Sequence, residues 1–367
     1  MMSPALPGPG GEWPALQKAI ERSTVVQPAT TATPMSRLFR RLIPGGKGLA
    51  KTSVFPNGIY ILIYHSIVDP DHRQPWEACY RKGETTVAEF RAQLEFMMTR
   101  MTPVALGELP GLWERGGPDR PCFAVTFDDG FTNNLTHAHP VIRSLGLKPT
   151  VFVCSEFAGG RQSFFRVLAA LLVARGHASR LAAVLGSMAP EVRWPETGEE
   201  LFARIKDNYV ADVVEEATTA VFHECLGDPA ALRIHLDCAA VAELERGGWE
   251  IGNHTTGHRL LGRQTATEAV RAIEDNECYW KEKGISLIDF LAYPVGRSVD
   301  VAPAVGEWLE RHPRIHGIFA NGGINFSLCR SQWLRFSLGK QTSPQGIERI
   351  ILQQIQRTRQ ALESFGA

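Results

Sequence analysis

Short apolar runs alternating with amphipathic stretches organise this chain. Residues 58–66, Gly-Ile-Tyr-Ile-Leu-Ile-Tyr-His-Ser, are apolar almost throughout and end at His65, which predicts a buried strand of a parallel sheet. From Thr86 to Met101, the positions Val87, Phe90, Leu94, Phe96 and Met97 share a helical face, with Thr85 or Thr86 as N-cap. A strand at 101–105 and a loop to Arg120 follow. The run 123–127, Phe-Ala-Val-Thr-Phe, predicts another buried strand, and it stops at Asp128, Asp129 and Gly130. A helix over 135–145 ends at Gly146, and 149–154 reads as the next strand. Further on come a helix at 239–246, a strand at 249–253, a helix at 265–283 stopped by Gly284, and a strand beginning at 287. A helix at 304–310, a strand at 315–320, a glycine-rich loop at 321–325 and a closing helix at 346–363 complete the series. Strands and helices in alternation predict an α/β fold built on a parallel sheet.

Three stretches depart from this alternation. Residues 69–84 read as a polar loop. Between 155 and 240 the strands disappear, leaving helical segments at 163–186, 198–207, 209–226 and 229–236, so about 156–240 is a helical insertion into the barrel unit spanning 55–367. Insertions in barrel loops set specificity while strand ends keep the chemistry. Residues 1–54 are rich in Pro, Gly, Ala and Thr and read as a flexible basic leader. Its basic stretch, Arg37, Arg40, Arg41, Lys47 and Lys51 around Leu38, Phe39, Leu42 and Ile43, also allows peripheral contact of 36–51 with an anionic membrane. Met35 is an alternative start.

Charge narrows the partners. With 39 basic and 39 acidic residues, no cationic excess is available to neutralise phosphates, which argues against nucleic acid. An apolar content of 44% suffices for a large core. The seven cysteines, Cys79, Cys122, Cys154, Cys225, Cys238, Cys278 and Cys329, are odd in number and lack Cys-x-x-Cys spacing, so they read as reduced and mostly buried. The first thirty residues hold acids and prolines instead of a basic start and an apolar core, so no signal peptide or transmembrane segment is expected. The expected location is cytoplasmic or peripheral to the inner face of the membrane.

The chemistry concentrates where apolar runs stop. In α/β sheets ligands bind at the carboxyl ends of the strands, so Asp128 and Asp129 project into a site, and Gly130 lets the backbone turn so that both can serve one centre. His65 ends its strand at the same mouth. At the end of the 249–253 strand stand His254 and His258, four residues apart and able to converge on one metal. With one carboxylate they make three protein ligands and leave a position open, the layout of a catalytic zinc site.

Thr126-Phe127-Asp128-Asp129-Gly130 and His254-Thr255-Thr256-Gly257-His258 resemble, in order and spacing, two motifs of the polysaccharide deacetylases, the NodB-homology superfamily or carbohydrate esterase family 4. The resemblance implies a distorted (β/α)7 barrel with Asp128 as general base, Asp129, His254 and His258 as metal ligands, and Thr255 bracing the histidine loop. Ala292-Tyr293-Pro294-Val295-Gly296 is similar to the Phe-Ala-Tyr-Pro-x-Gly variant of a subgroup, in which Tyr293 and Pro294 support the site and the Val295 amide helps to hold the oxyanion. The arginine of the more usual Arg-x-Pro motif is replaced by Ala292, and Arg335 is the candidate for its task of steadying the base. Leu62-Ile63-Tyr64-His65 resembles a circularly permuted Leu-x-His motif, as in deacetylases of poly-N-acetylglucosamine export, which makes His65 the candidate general acid. The implied reaction is hydrolysis of an N-acetyl group on a sugar in a polysaccharide, oligosaccharide or carrier-linked precursor, releasing acetate. Its cofactor would be a divalent metal, zinc ahead of other transition metals. A deformylase or O-acyl esterase on the same site, and a non-catalytic carbohydrate-binding barrel, are the alternatives.

Overall fold

The structure is a computed structural model that describes residues 55–80, 84–207, 211–297, 300–320, 322–326 and 332–363. The leader, its 36–51 segment and Met35 lie outside these residues, as does Cys329.

The strands are β1 (Ile59–Tyr64), β2 (Ser66–Val68), β3 (Glu84–Thr86), β4 (Thr102–Pro103), β5 (Cys122–Phe127), β6 (Thr150–Val153), β7 (Glu250–Asn253), β8 (Leu287–Ala292), β9 (His316–Phe319) and β10 (Trp333–Phe336). Seven of them close on themselves in the order β1, β5, β6, β7, β8, β9, β10 and back to β1, every pairing parallel. This is the seven-stranded α/β barrel expected. The strand expected at 101–105 shrinks to β4, which pairs only with the first residues of β5.

Period-two alternation decides what enters the barrel. Ile59 and Ile61 of β1, Ala124 of β5, Phe152 of β6, Phe290 and Ala292 of β8, Ile318 of β9 and Trp333 of β10 form one buried cluster inside it. Tyr60, Leu62 and Tyr64 of β1 and Phe123, Val125 and Phe127 of β5 belong to a second cluster between strands and helices. Carried one step past the strand end, the inward set of β5 is Ala124, Thr126, Asp128, and that of β10 is Trp333, Arg335. The covering helices start where their caps dictate, as at Val87–Arg100 and Ala266–Glu282, each opened by a Thr/Glu capping box, Thr86 with Glu89 and Thr265 with Glu268.

Several expectations are corrected. The polar loop at 69–84 contains the helix Pro75–Cys79, and its Trp76 and Tyr80 are buried against the insertion. The loop before β5 holds a further short helix, Leu109–Glu114. Strand β10 was not foreseen, because Arg335 in its centre breaks an otherwise apolar run. In the insertion, the single helix expected at 163–186 is two, Phe165–Ala174 and Ala178–Met188, separated at Gly176, whose φ of 83° ends the first. Gly198–Asp207 and Ala211–Leu226 follow, and these helices share their own core. The last expected helical segment, 229–236, is only a 3₁₀ turn at Pro229–Leu232. Past the left-handed Arg233, its remainder forms an antiparallel bridge to Phe131 through His235. His137 and His139, in the segment expected as a helix over 135–145, are half-buried: His137 Nδ1 lies 3.0 Å from the Ile67 carbonyl, and His139 Nδ1 accepts from Trp249 Nε1 at 2.9 Å.

All six cysteines among the described residues are free, but only Cys122 and Cys154 are buried, fewer than the sequence suggested. No helix among the described residues is long and apolar enough to cross a membrane.

Candidate active site

The site begins at the end of β5. The Asp128 amide donates to the Tyr64 carbonyl of β1 at 3.0 Å, continuing the β1–β5 pairing by one residue and fixing the carboxylate over the barrel interior. There it meets Arg335. The guanidinium clamps both oxygens, NH1 to Oδ1 at 2.6 Å and NH2 to Oδ2 at 2.8 Å, and is itself held by Thr126 Oγ1 at 3.2 Å and the Phe319 carbonyl at 3.3 Å. It lies over the Phe152 ring at 5.3 Å and has no exposed surface. A two-pronged pair of this kind fixes orientation as well as charge. Burial pushes the Asp128 carboxyl up, but Arg335, His254 and His65 together outweigh it, and the group titrates below the usual carboxylate range.

Asp129 turns away from its neighbour because it is left-handed, with φ 68°, and Gly130 follows at φ 59°. The turn expected at the glycine therefore starts one residue earlier. Thr255 (φ 64°), His258 (φ 57°) and Val295 (φ 61°) share this conformation, so four of the five left-handed non-glycine residues among the described residues are candidate site residues. Each such position costs on the order of 1–3 kcal/mol and persists only where surrounding structure imposes it.

Asp129, His254 and His258 converge, each offering a ligand atom within 4.8 Å of the others. Asp129 Oδ1 is 3.4 Å from His254 Nε2 and 3.2 Å from His258 Nε2. All three residues are buried, and Asp129 Oδ1 and His254 Nε2 have no hydrogen-bond partner. His254 Nδ1 lies 2.8 Å from the Ala292 carbonyl, which places a ring proton there, so that in the neutral ring Nε2 turns its lone pair toward Asp129. Buried, unsatisfied oxygen and imidazole nitrogen donors on one point fit a divalent transition metal. Burial raises the Asp129 carboxyl, but His258, His254 and His65 together hold it far below the carboxylate range. Burial opposes charge on His254, yet Asp128 and Asp129 outweigh it and raise that ring, whereas burial dominates at His258 and pushes it down to about 3.

The remaining candidates line the mouth. His65 follows β1, is partly exposed, and lies close enough for its charge to lower both carboxylates. Val295 stands in a tight turn after β8, where a side chain on Gly296 would meet the Ala320 nitrogen at 2.5 Å. Tyr293 and Pro294 are buried in that turn, Tyr293 against Phe319 at 4.5 Å between rings. The Thr255 hydroxyl has no partner, so the brace of the histidine loop is not that side chain. The brace is a pair of asparagines the sequence reading passed over. Asn253 Oδ1 accepts from the Thr255 amide at 2.9 Å and from Asn276 Nδ2 at 2.8 Å, while Asn276 also ties the Val153 carbonyl and the Ser155 amide. Asn276 sits on the buried stripe Ala269, Ile273, Asn276, Trp280, and a polar residue on an apolar helix face was the available signal.

The insertion closes one side. His235 Nδ1 lies 3.0 Å from the Asp129 carbonyl and its Nε2 accepts from the Phe164 amide at 3.3 Å. Burial pushes this ring down to about 4, so it is neutral near pH 7. Phe164 packs edge-on to His258 at 5.1 Å. Phe164 and Phe165 are buried, and Arg166 lies over both rings.

No family model matches the chain. A Bacillus subtilis protein, YxkH, whose name assigns it provisionally as a polysaccharide deacetylase, is 29% identical over 109 residues. That match spans 28% of this chain and 34% of YxkH, so the chain covers about a third of this relative's length. Among solved structures, the Streptococcus pyogenes deacetylase PplD in complex with acetate superposes with a TM-score of 0.51 at 17% identity, covering 81% of this chain and 99% of that one. IcaB from Ammonifex degensii gives 0.50 at 16% identity over 81% and 97% of the two chains. A de-N-acetylase from Aggregatibacter actinomycetemcomitans gives 0.51 at 12% identity over 80% and 100%. The barrel described above is thus the fold that these proteins share.

Proposed function

We propose that the chain is a metal-dependent hydrolase that removes the N-acetyl group from a sugar in a polysaccharide, oligosaccharide or carrier-linked precursor. The observation that carries this reading is the pairing of two unlike carboxylates at one strand end: Asp129 among two imidazoles, and Asp128 clamped by Arg335. A binding barrel has no use for both. The similarity of fold to deacetylases, and the local similarity to YxkH, support the same reaction class.

Asp129 Oδ1, His254 Nε2 and His258 would hold a divalent ion, zinc in first place, which when bound polarises the acyl carbonyl and acidifies water. Asp128 is ionised at neutral pH and oriented by Arg335, so it accepts the proton of the attacking water. The Val295 amide donates to the oxyanion, a role that requires only backbone. His65, at the mouth on the neighbouring strand, gives a proton to the leaving amine. Acetate and a free amino sugar result.

The test is acyl release from N-acetyl, N-formyl and O-acetyl sugars by the zinc-loaded chain and its Asp128→Asn variant. Acetate from the N-acetyl substrate, reduced about 10²- to 10⁴-fold in the variant, is the expected outcome. Preference for the formyl or O-acetyl substrate would assign a deformylase or esterase, and zinc binding with no release from any of them would leave a binding role.

A further inference from the structure

The helical insertion reaches both loops that carry the metal-ligand candidates. Its exit, residues 234–236, pairs antiparallel with the residues just after Asp129: Leu236 N donates to Gly130 O at 2.8 Å, and Thr132 N to Ile234 O at 2.9 Å. Its entry docks on the histidine loop, where Glu156 N donates to Thr256 O at 2.9 Å. His235 joins these two ends. Its ring is stacked on Phe157 at 4.2 Å and on Phe131 at 5.4 Å, with interplanar angles of 19° and 22°. One ring nitrogen accepts from the Phe164 amide, so the other carries the proton and donates it to the Asp129 carbonyl. That carbonyl belongs to a left-handed non-glycine residue, a conformation that needs an external hold.

We propose that His235 is a positioning residue for the metal centre: through its donation to the Asp129 carbonyl, the docked insertion, and not the barrel alone, sets the metal affinity. This rests on the metal site proposed above. The insertion then has a second duty beside shaping the mouth, because Asp129 is aimed from its exit and His258 is packed by Phe164 from its entry. Residues one bond away from the ligands of a metal commonly change its affinity 10- to 100-fold.

The experiment is a competition titration of zinc against a chromophoric chelator, using the full chain, His235→Phe and His235→Asn, with thermal unfolding of each in excess chelator. Phenylalanine keeps the ring between Phe131 and Phe157 but has no donor. Asparagine loses the ring but places an amide N–H near the position of Nδ1. The expected result is a zinc affinity about 10- to 100-fold weaker in His235→Phe and largely recovered in His235→Asn, even though the asparagine variant unfolds at the lower temperature. Where His235→Phe does not fold, His235→Gln replaces it, since its longer side chain reaches the Phe164 amide and not the Asp129 carbonyl. Zinc affinity that follows unfolding temperature across the variants, or is unchanged in His235→Phe, would overturn the inference while leaving the metal site standing. A wild-type chain that takes up no zinc would overturn both.

Discussion

At the scale of single residues, two aspartates side by side in sequence have opposite surroundings. Asp128 follows the inward alternation of β5 and finds an arginine; Asp129 leaves the strand in a left-handed turn and finds two imidazoles. The arginine gives a pH prediction. In the role of base proposed above, Asp128 works only when ionised, so the rate is expected to fall as pH drops through its pKa, which Arg335, with His254 and His65, holds low against the effect of burial. Arg335→Met should therefore move the acid limb of the kcat/KM profile to higher pH, with a loss of about 3–5 kcal/mol of stability from leaving a buried carboxylate unpaired. Arg335→Lys keeps the charge without the fork, and should lower the rate with a smaller displacement of the limb. An acid limb unmoved in Arg335→Met would remove Arg335 from the role. These neighbours were unevenly visible in the sequence. Asp128, Asp129 and His254 stood out because they follow short strand-like runs, and His258 because it lies four residues beyond His254. Arg335 lies 207 residues from its partner, and no local spacing connects them. His235 and Asn253 left no such signal because their partners are mostly backbone groups, whereas Asn276 was marked only as a polar residue on an apolar helix face.

At the scale of elements, periodicity located those that bury a continuous apolar run or a helical stripe, such as β1, β5 and the Ala266–Glu282 helix. It failed for elements made by tertiary contact. Strand β10 is four residues long with a charge in the middle, legible only once Asp128 is opposite. The Pro75–Cys79 helix is a single turn whose Trp76 stacks on Phe131 at 5.4 Å, and nothing near it in sequence announces that partner. The same segment is anchored by Glu84 of β3, whose carboxylate takes Arg73 at 2.7 Å and Lys340 at 3.2 Å. Burial raises that carboxyl, but the two cations outweigh it and its pKa falls below the ordinary value. A carboxyl depressed in the native state stabilises above its unfolded pKa, and that contribution is lost as pH falls through the native value. Chemical denaturation from neutral pH to about pH 3 should show stability falling less steeply for Glu84→Gln than for the wild type. Parallel curves would mean that this ion pair does not contribute to acid stability.

At the scale of the molecule, two cores meet at one centre. The barrel contributes Asp128, Arg335, His254 and the turn at Val295, and the insertion core, itself joined by Trp76 and Tyr80, presses on Asp129 and His258 through His235 and Phe164. Strand ends supply reactive groups and a variable loop frames them, the division of labour general to barrels. Metal-dependent deacetylation is tested by acetate release from an N-acetylated sugar by the chain stripped with chelator and then titrated with zinc. No release is expected from the stripped chain, followed by a rise that levels off near one zinc per chain, as the one three-ligand cluster among the described residues requires. Acetate released at full rate by the stripped chain would contradict metal dependence.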